Sequence, residues 1–331
     1  MKTFVLASLA LAASLVTARA EDTLIFATTN ASNTGANTQV LHPWAARMNE
    51  QGAGVLKIDV RDGLTLANHI NFYDRAINDV VQLTWGIQSQ VAGKFVRSHV
   101  VTLPVDAGTE DTSVAYWRLY KTGLLDAEYD DIQPLMLVAL SQSTLHTKRP
   151  LATLDNLQGL KLAMNSKLVG DVIGRLGASQ ITIPLTDFYE ALNRGAIDGA
   201  AIGWTAAETY KLNEVVTTHV DYGLGGTIGV VFMAKKRYLA LSGPARKVID
   251  TNAGEKESRI FGAYWDRYAD EVRQKLKGDA RHKVITLNAE QAAKWRERVT
   301  PLVDEWVKAT PDGAKVLSAW RDIVAKVKAG S

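Results

Sequence analysis

The chain has 331 residues, 47% of them apolar and 22% charged, the balance of a soluble globular protein with room for one large domain or two ordinary ones. It contains no cysteine, which excludes disulfides, thiol catalysis and cysteine-ligated metals. The formal charge is only +3 and no basic stripe carries interleaved aromatics, so no nucleic-acid partner is expected.

The first residues do not read as part of the fold. Lys2, an apolar run from Phe4 to Val16, and Ala18-Arg19-Ala20 form a secretory signal peptide over 1–20, too short to span a membrane. Without Lys2 and Arg19 the 38 basic residues become 36 against 35 acidic, a net charge of +1. No cysteine follows the cleavage site to carry a lipid. A soluble protein exported to the periplasm is expected.

The mature chain opens on a strand, "TLIFATTN" (23–30). A polar "NASNTGANT" leads to an amphipathic helix through "LHPWAARMNEQG", stopped by Gly52. "LKIDVRDG" alternates as a second strand, and a helix through "NFYDRAIND" leads into the apolar strand "VVQLTWG". A second block repeats the scheme. "LKLAM" is a strand, "VGDVIGRLGA" a helix closed by Gly177, and "SQITIPL" a strand. "TDFYEALNRG" is a helix with Thr186 as N-cap and Gly195 past its end, and "AIDGAAIGW" is the next strand. Alternating strands and helices predict an α/β fold with mainly parallel sheets.

Two pieces share a plan: "FYDRAINDVVQLTW" (72–85) and "FYEALNRGAIDGAAIGW" (188–204) each run Phe-Tyr-acid, helix, strand, Trp. Ligands of open α/β sheets bind outside the carboxyl ends of strands. Two such lobes face to face would enclose a cleft, with Trp85 and Trp204 at its strand ends. A long helical segment (244–278) would run about 50 Å at 1.5 Å per residue, enough to brace both lobes. The C-terminal part is helical too, starting at an Asn288/Gln291 capping box.

Catalytic patterns are missing. The six histidines lie far apart in sequence, and no H-x-x-x-H or G-x-S-x-G occurs. "GLGGTIG" (223–229) lacks the Lys-Ser/Thr of a P-loop and reads as a turn or flexible lead-in to the next strand. No enzyme activity, cofactor or metal is expected.

Three segments carry a resemblance. "RPLATLDNLQGLKLAMNS", "LGASQITIPLTDFYEALNRGAIDG" and "VVTLPVDAGTEDTSVAYWRLYKTGLL" are similar in order and spacing to segments of the DctP family. These are the periplasmic solute-binding proteins of tripartite ATP-independent (TRAP) transporters. The resemblance implies a two-lobe periplasmic-binding-protein-like fold of type II topology with a long helix bridging both lobes. It places lobe I at 21–143 plus 233–272 and lobe II at 144–232 plus 273–331. It also implies a small-molecule ligand, transient contact with a TRAP membrane permease, and a monomer.

In that family the "GlKiR" strand ends in an arginine that pairs with the ligand's carboxylate. That position here is Ala163. A second family arginine position is Ser143, and the usual asparagine after "vDG" falls near Ile202. Either Lys148, Arg149 or Arg175 substitutes for the clamp, or the pocket is built from aromatics and amides. In the second case the expected ligand-binding residues are Asn30, Trp85, Ser143, Ala163, Asn165, Trp204 and Tyr222, and a neutral or aromatic solute is favoured. A receptor for a membrane sensor kinase or chemoreceptor, and an exported enzyme on a similar scaffold, are the competing functions.

Overall fold

The computed structural model of the protein describes residues 21–104, 107–151, 154–164 and 166–331. The expected signal peptide and Asn165 lie outside these residues.

In chain order the first lobe contributes β1 (Asp22–Ala27), α1 (His42–Gln51), β2 (Leu56–Arg61), α2 (Phe72–Ile77), β3 (Leu83–Ile87), α3 (Thr109–Lys121) and β4 (Ile132–Ala139). The second contributes β5 (Thr144–Thr147), β6 (Lys161–Met164), α4 (Lys167–Arg175), β7 (Ser179–Ile181), α5 (Phe188–Asn193), β8 (Gly199–Ile202), α6 (Trp204–Thr209) and β9 (Thr218–Val220). The chain then returns through β10 (Ile228–Ala234), α7 (Lys235–Ala240), α8 (Gly243–Thr251), α9 (Glu255–Lys277), β11 (Lys283–Ile285), α10 (Ala289–Ala309) and α11 (Gly313–Lys328).

Two mixed sheets result, ordered β2-β1-β3-β10-β4 and β11-β9-β5-β8-β6-β7. Both faces of each are covered, and strand alternation divides the side chains between them. On β1, Leu24 and Phe26 join the cluster around Trp44 and Phe261, while Ala27 joins the opposite cluster around Tyr116 and Phe232. On β6, Leu162 and Met164 face Val169 and Trp295, while Ala163 faces Phe188 and Leu192. Neither sheet is wholly parallel. β10 runs antiparallel to β3 and β4, and β5 antiparallel to β8 and β9, because each of these strands carries the chain back from the other lobe.

The lobes are joined by two extended segments, Leu140–Ser143 and Tyr222–Thr227. They pair with each other: Leu140 N–H donates to the Thr227 carbonyl (2.9 Å), Ser143 N–H to Gly225 (2.8 Å) and Leu224 N–H to Ser143 (2.9 Å). α9 bridges beside them, packing on α3 and β4 of the first lobe and on α6 and β11 of the second.

Four details differ from the sequence reading. The 244–278 segment is not one helix: Gly254 sits at φ +106°, outside helical space, and separates α8 from α9, which is about 35 Å long. The second crossing comes before residue 228, since all of β10 belongs to the first sheet. α11 packs on α3, with Val316 and Trp320 in the first lobe's core, rather than on the second lobe, which α10 covers through α4. The Asn288/Gln291 capping box is formed. Thr186 does not cap α5; Asp187 holds the N-cap position, and Gly195, at φ +73°, follows its end.

α9 also secures α3. The Asp266 carboxylate accepts from the first N–H groups of that helix, Thr109 (2.7 Å) and Glu110 (2.8 Å). A carboxylate on unpartnered N-terminal donors is favoured by hydrogen bonding and by the helix dipole. Asp266→Ala is expected to cost about 1–2 kcal/mol, read as a lower urea midpoint at unchanged slope; an unaltered midpoint refutes the cap.

Candidate functional site: the inter-lobe crevice

Strand direction fixes where the crevice lies. β1 and β3 are parallel, and β4 runs with them because β10 is antiparallel to both β3 and β4. Their carboxyl ends share the edge from which the chain crosses. In the second sheet β6 and β8 are parallel and β5 is antiparallel to β8 and β9, so the carboxyl ends of β6, β8 and β9 face back. The segments that meet there are Thr28–Asn30, Gln88–Gln90, Leu140–Ser143, Ser166, Gly203 and Tyr222–Thr227. None contains a lysine or arginine. Gly225, at φ +102°, lets the second crossing segment pass between the Thr102 carbonyl and Leu168 of the second lobe; a Cβ there would lie 2.8 and 3.2 Å from them.

On the first-lobe side the polar groups are tied together. Thr28 Oγ1 (2.9 Å) and Asn37 Nδ2 (2.8 Å) donate to Asp62 Oδ1, and His42 Nε2 stands 3.0 Å from both Asp62 oxygens. Asn30 Nδ2 donates to Asn37 Oδ1 (3.3 Å). Thr29 takes a left-handed conformation, φ +54°, and its hydroxyl donates to the Trp85 carbonyl (2.8 Å). His69 docks onto the same strand ends: its Nδ1 accepts from the Ile87 backbone N–H (3.2 Å) and lies 3.3 Å from Thr29 Oγ1. Burial lowers its pKa to about 4.

The crossing carries a second constellation. Trp204 opens α6, and its Nε1–H donates to Asp221 Oδ1 (3.2 Å). Arg273 of α9 pairs with Asp221 (3.1 Å) and lies 5.8 Å from the Trp204 ring centre. These side chains border a polar recess of about 180 Å³ with Ser141, Gln142 and Asp266. Beneath Trp204 three histidines distant in sequence form a chain. His146 Nδ1 meets His219 Nδ1 at 2.8 Å, and His219 Nε2 meets His282 Nδ1 at 3.0 Å. His146 Nε2 lies 3.0 Å from the Thr144 hydroxyl, which can donate or accept, and 3.1 Å from the Ile202 carbonyl, which can only accept; the carbonyl contact places the proton on Nε2. The proton between the rings then sits on His219 Nδ1, and the next on His282 Nδ1, leaving three neutral imidazoles. A larger cavity, about 760 Å³, lies under α10 and is lined by second-lobe residues alone, such as Leu157, Val220 and Trp295; it does not join the lobes. Among the described residues no group of three or more His, Asp or Glu is arranged to hold a metal.

Residues 26–309 match the bacterial extracellular solute-binding proteins of family 7, the DctP family. The chain belongs to this family. A TRAP solute-binding protein from Rhodoferax ferrireducens, crystallised with copurified benzoate, is 28% identical and superposes with a TM-score of 0.84, covering 93% of this chain and 99% of that one. The outer membrane transporter protein TsaT of Comamonas testosteroni is 24% identical across 91% of this chain and 90% of its own length. The C4-dicarboxylate-binding periplasmic protein DctP of Rhodobacter capsulatus is 26% identical over 179 residues, 54% of this chain and 53% of that protein. The fold is thus that of a solute-binding protein, not of an enzyme family.

Within this solute-binding protein the expected ligand residues are dispersed. Asn30 is partly exposed at the end of β1. Trp85 is buried inside the first lobe, its ring 4.7 Å from Phe261. Ser143 is buried in the crossing ribbon, and the Ala163 methyl is fully buried among apolar second-lobe side chains. Trp204 is buried in the Asp221–Arg273 constellation. Tyr222 packs on Trp295 of α10, ring centres 5.3 Å apart. The alternative cations are occupied at the opposite end of the second lobe: Lys148 Nζ donates to the Leu192 carbonyl (2.9 Å), Arg149 pairs with Asp198 (2.7 Å) and Arg175 with Glu305. His69, Thr29, Asp221 and Arg273 were not singled out in the sequence; only the docking of a loop histidine onto two strand ends reveals the first.

Proposed function

We propose that this protein is a periplasmic receptor that closes its lobes on an aromatic solute of low charge and hands it to a TRAP-type permease. The observation that carries this reading is that the segments meeting at the crevice contain no lysine or arginine, while Arg273 of the bordering recess is already paired with Asp221. By the family resemblance Ala163 stands at the position of the clamping arginine, and the three cations that could substitute are engaged at the far end of the lobe. The benzoate bound by the Rhodoferax relative supports an aromatic ring, with at most one carboxylate. A charge-assisted hydrogen bond contributes about 1.5–3 kcal/mol. A dicarboxylate is therefore expected to bind about 10–100-fold more weakly than to an arginine-bearing relative.

Mass spectrometry of solute extracted from freshly purified protein, followed by calorimetry, tests this. Benzoate or another aromatic acid should give measurable heat and succinate none. Tight succinate binding that depends on Arg149 or Arg175 would show that the clamp has moved.

A further inference from the structure

We propose that His69 is a specificity-determining ligand residue, a neutral hydrogen-bond donor that receives an oxygen of the solute through its Nε2–H. The proposal rests on the reading above, that the crevice takes an aromatic acid.

The tautomer follows from the contacts. A backbone amide can only donate, so the Ile87 N–H on Nδ1 requires that nitrogen to be bare. The Thr29 hydroxyl fits either tautomer, since it donates to the Trp85 carbonyl and its oxygen can still accept; the Ile87 amide decides. The proton resides on Nε2, on the far side of the ring from both strand ends. Among the described residues Nε2 has no hydrogen-bond partner, and the side chain is only partly exposed. A ring held at one nitrogen and offering the other is a preorganised donor.

Its charge state is fixed as well. Protonating Nδ1 would set it against the Ile87 N–H, and burial opposes the cation. Of the titratable groups at these first-lobe strand ends, His42 and Asp62 hydrogen-bond to each other. Thr29 is one of five non-glycine residues at positive φ among the described residues, and the one that touches His69. A non-glycine residue held in the left-handed region stores backbone strain, which persists where surrounding contacts impose it and concentrates at ligand clamps. Here it aims the hydroxyl at the Trp85 carbonyl beside His69. A neutral donor binds one carboxylate or hydroxyl oxygen without the charge needed for a dianion, which suits a crevice whose bordering guanidinium, Arg273, is already paired with Asp221.

The test is calorimetry with benzoate on wild type, His69→Phe and His69→Gln from pH 8 to 6, with each variant's urea midpoint measured in parallel. Wild type should bind with an affinity that is flat over this range. His69→Phe should weaken binding about 10–100-fold, the loss of one hydrogen bond to a charged oxygen, and His69→Gln, which keeps a donor, should recover most of it. Wild-type affinity in a folded His69→Phe variant overturns the proposal and leaves the aromatic-acid reading standing. Affinity that climbs as the pH falls toward 6 overturns the neutral donor. Absence of heat with benzoate and other aromatic acids in wild type overturns the underlying reading and this proposal together.

Discussion

Acidification from pH 7.5 to 5 is expected to destabilise this protein by several kcal/mol, before its carboxylates titrate. The cause is its buried histidines. Burial lowers the pKa of His69 to about 4 and lowers those of His146 and His219, the last also through its two histidine neighbours. In the unfolded chain each titrates near 6.5. Below that value the unfolded state binds protons that the folded state refuses, so stability falls as pH falls. The loss grows by about 1.4 kcal/mol per pH unit for each such group until its folded pKa is reached.

At pH 5 each group has lost about 2 kcal/mol on this basis, and three of them approach the 5–15 kcal/mol that holds a typical domain together. The histidine chain concentrates the effect. Its hydrogens already run in one direction from His282 to Ile202, so a proton enters without breaking a bond only at the outer nitrogen of His282. Around that ring Asp279 favours the cation, whereas burial, Arg281 and Lys275 oppose it. Urea midpoints at pH 7.5, 6 and 5 should decline steadily, and His219→Gln should flatten the decline. Equal midpoints at pH 7.5 and 5 would show that the folded histidines accept protons freely.

The sequence made the scaffold legible because each β-α unit is written locally. The periodicity of β1 and β6, the Gly195 stop and the Asn288 capping box need only nearby residues to be read. The crevice was less legible because its parts come from distant segments. His69 gains its meaning from Ile87 and Thr29, and the histidine chain from residues 146, 219 and 282, whose spacing matches no motif. The shared Phe-Tyr-acid…Trp plan misled at its last position. Trp85 is a mid-strand core residue, whereas Trp204 starts a helix after its strand has ended. Trp85 stands two residues before the end of its strand and Trp204 two residues after the end of its own, so the shared spelling gives no shared place. The break at Gly254 and the return of α11 to the first lobe depend on backbone conformation and long-range packing, which periodicity does not encode.

Trp85→Ala is expected to cost about 3–5 kcal/mol of stability and to leave the affinity of the folded fraction for its solute unchanged. Trp85 is 1% exposed and packs between Phe261 of α9 and the backbone of β10. The facing residue, Gly229, exists in this form because of that ring: a Cβ there would lie 2.4 Å from Trp85 Cη2. Gly229→Ala alone should therefore strain the sheet, at a cost of about 1–3 kcal/mol. In the Trp85→Ala background the same methyl enters the vacated volume, and its cost should vanish or reverse. The two substitutions touch, so their effects are expected to be strongly non-additive. A four-protein cycle in urea, read by circular dichroism because the variants lose a fluorophore, measures the coupling. Additive costs would mean that the ring does not press on β10. A large loss of solute affinity in folded Trp85→Ala, at little cost in stability, would instead return Trp85 to the binding site.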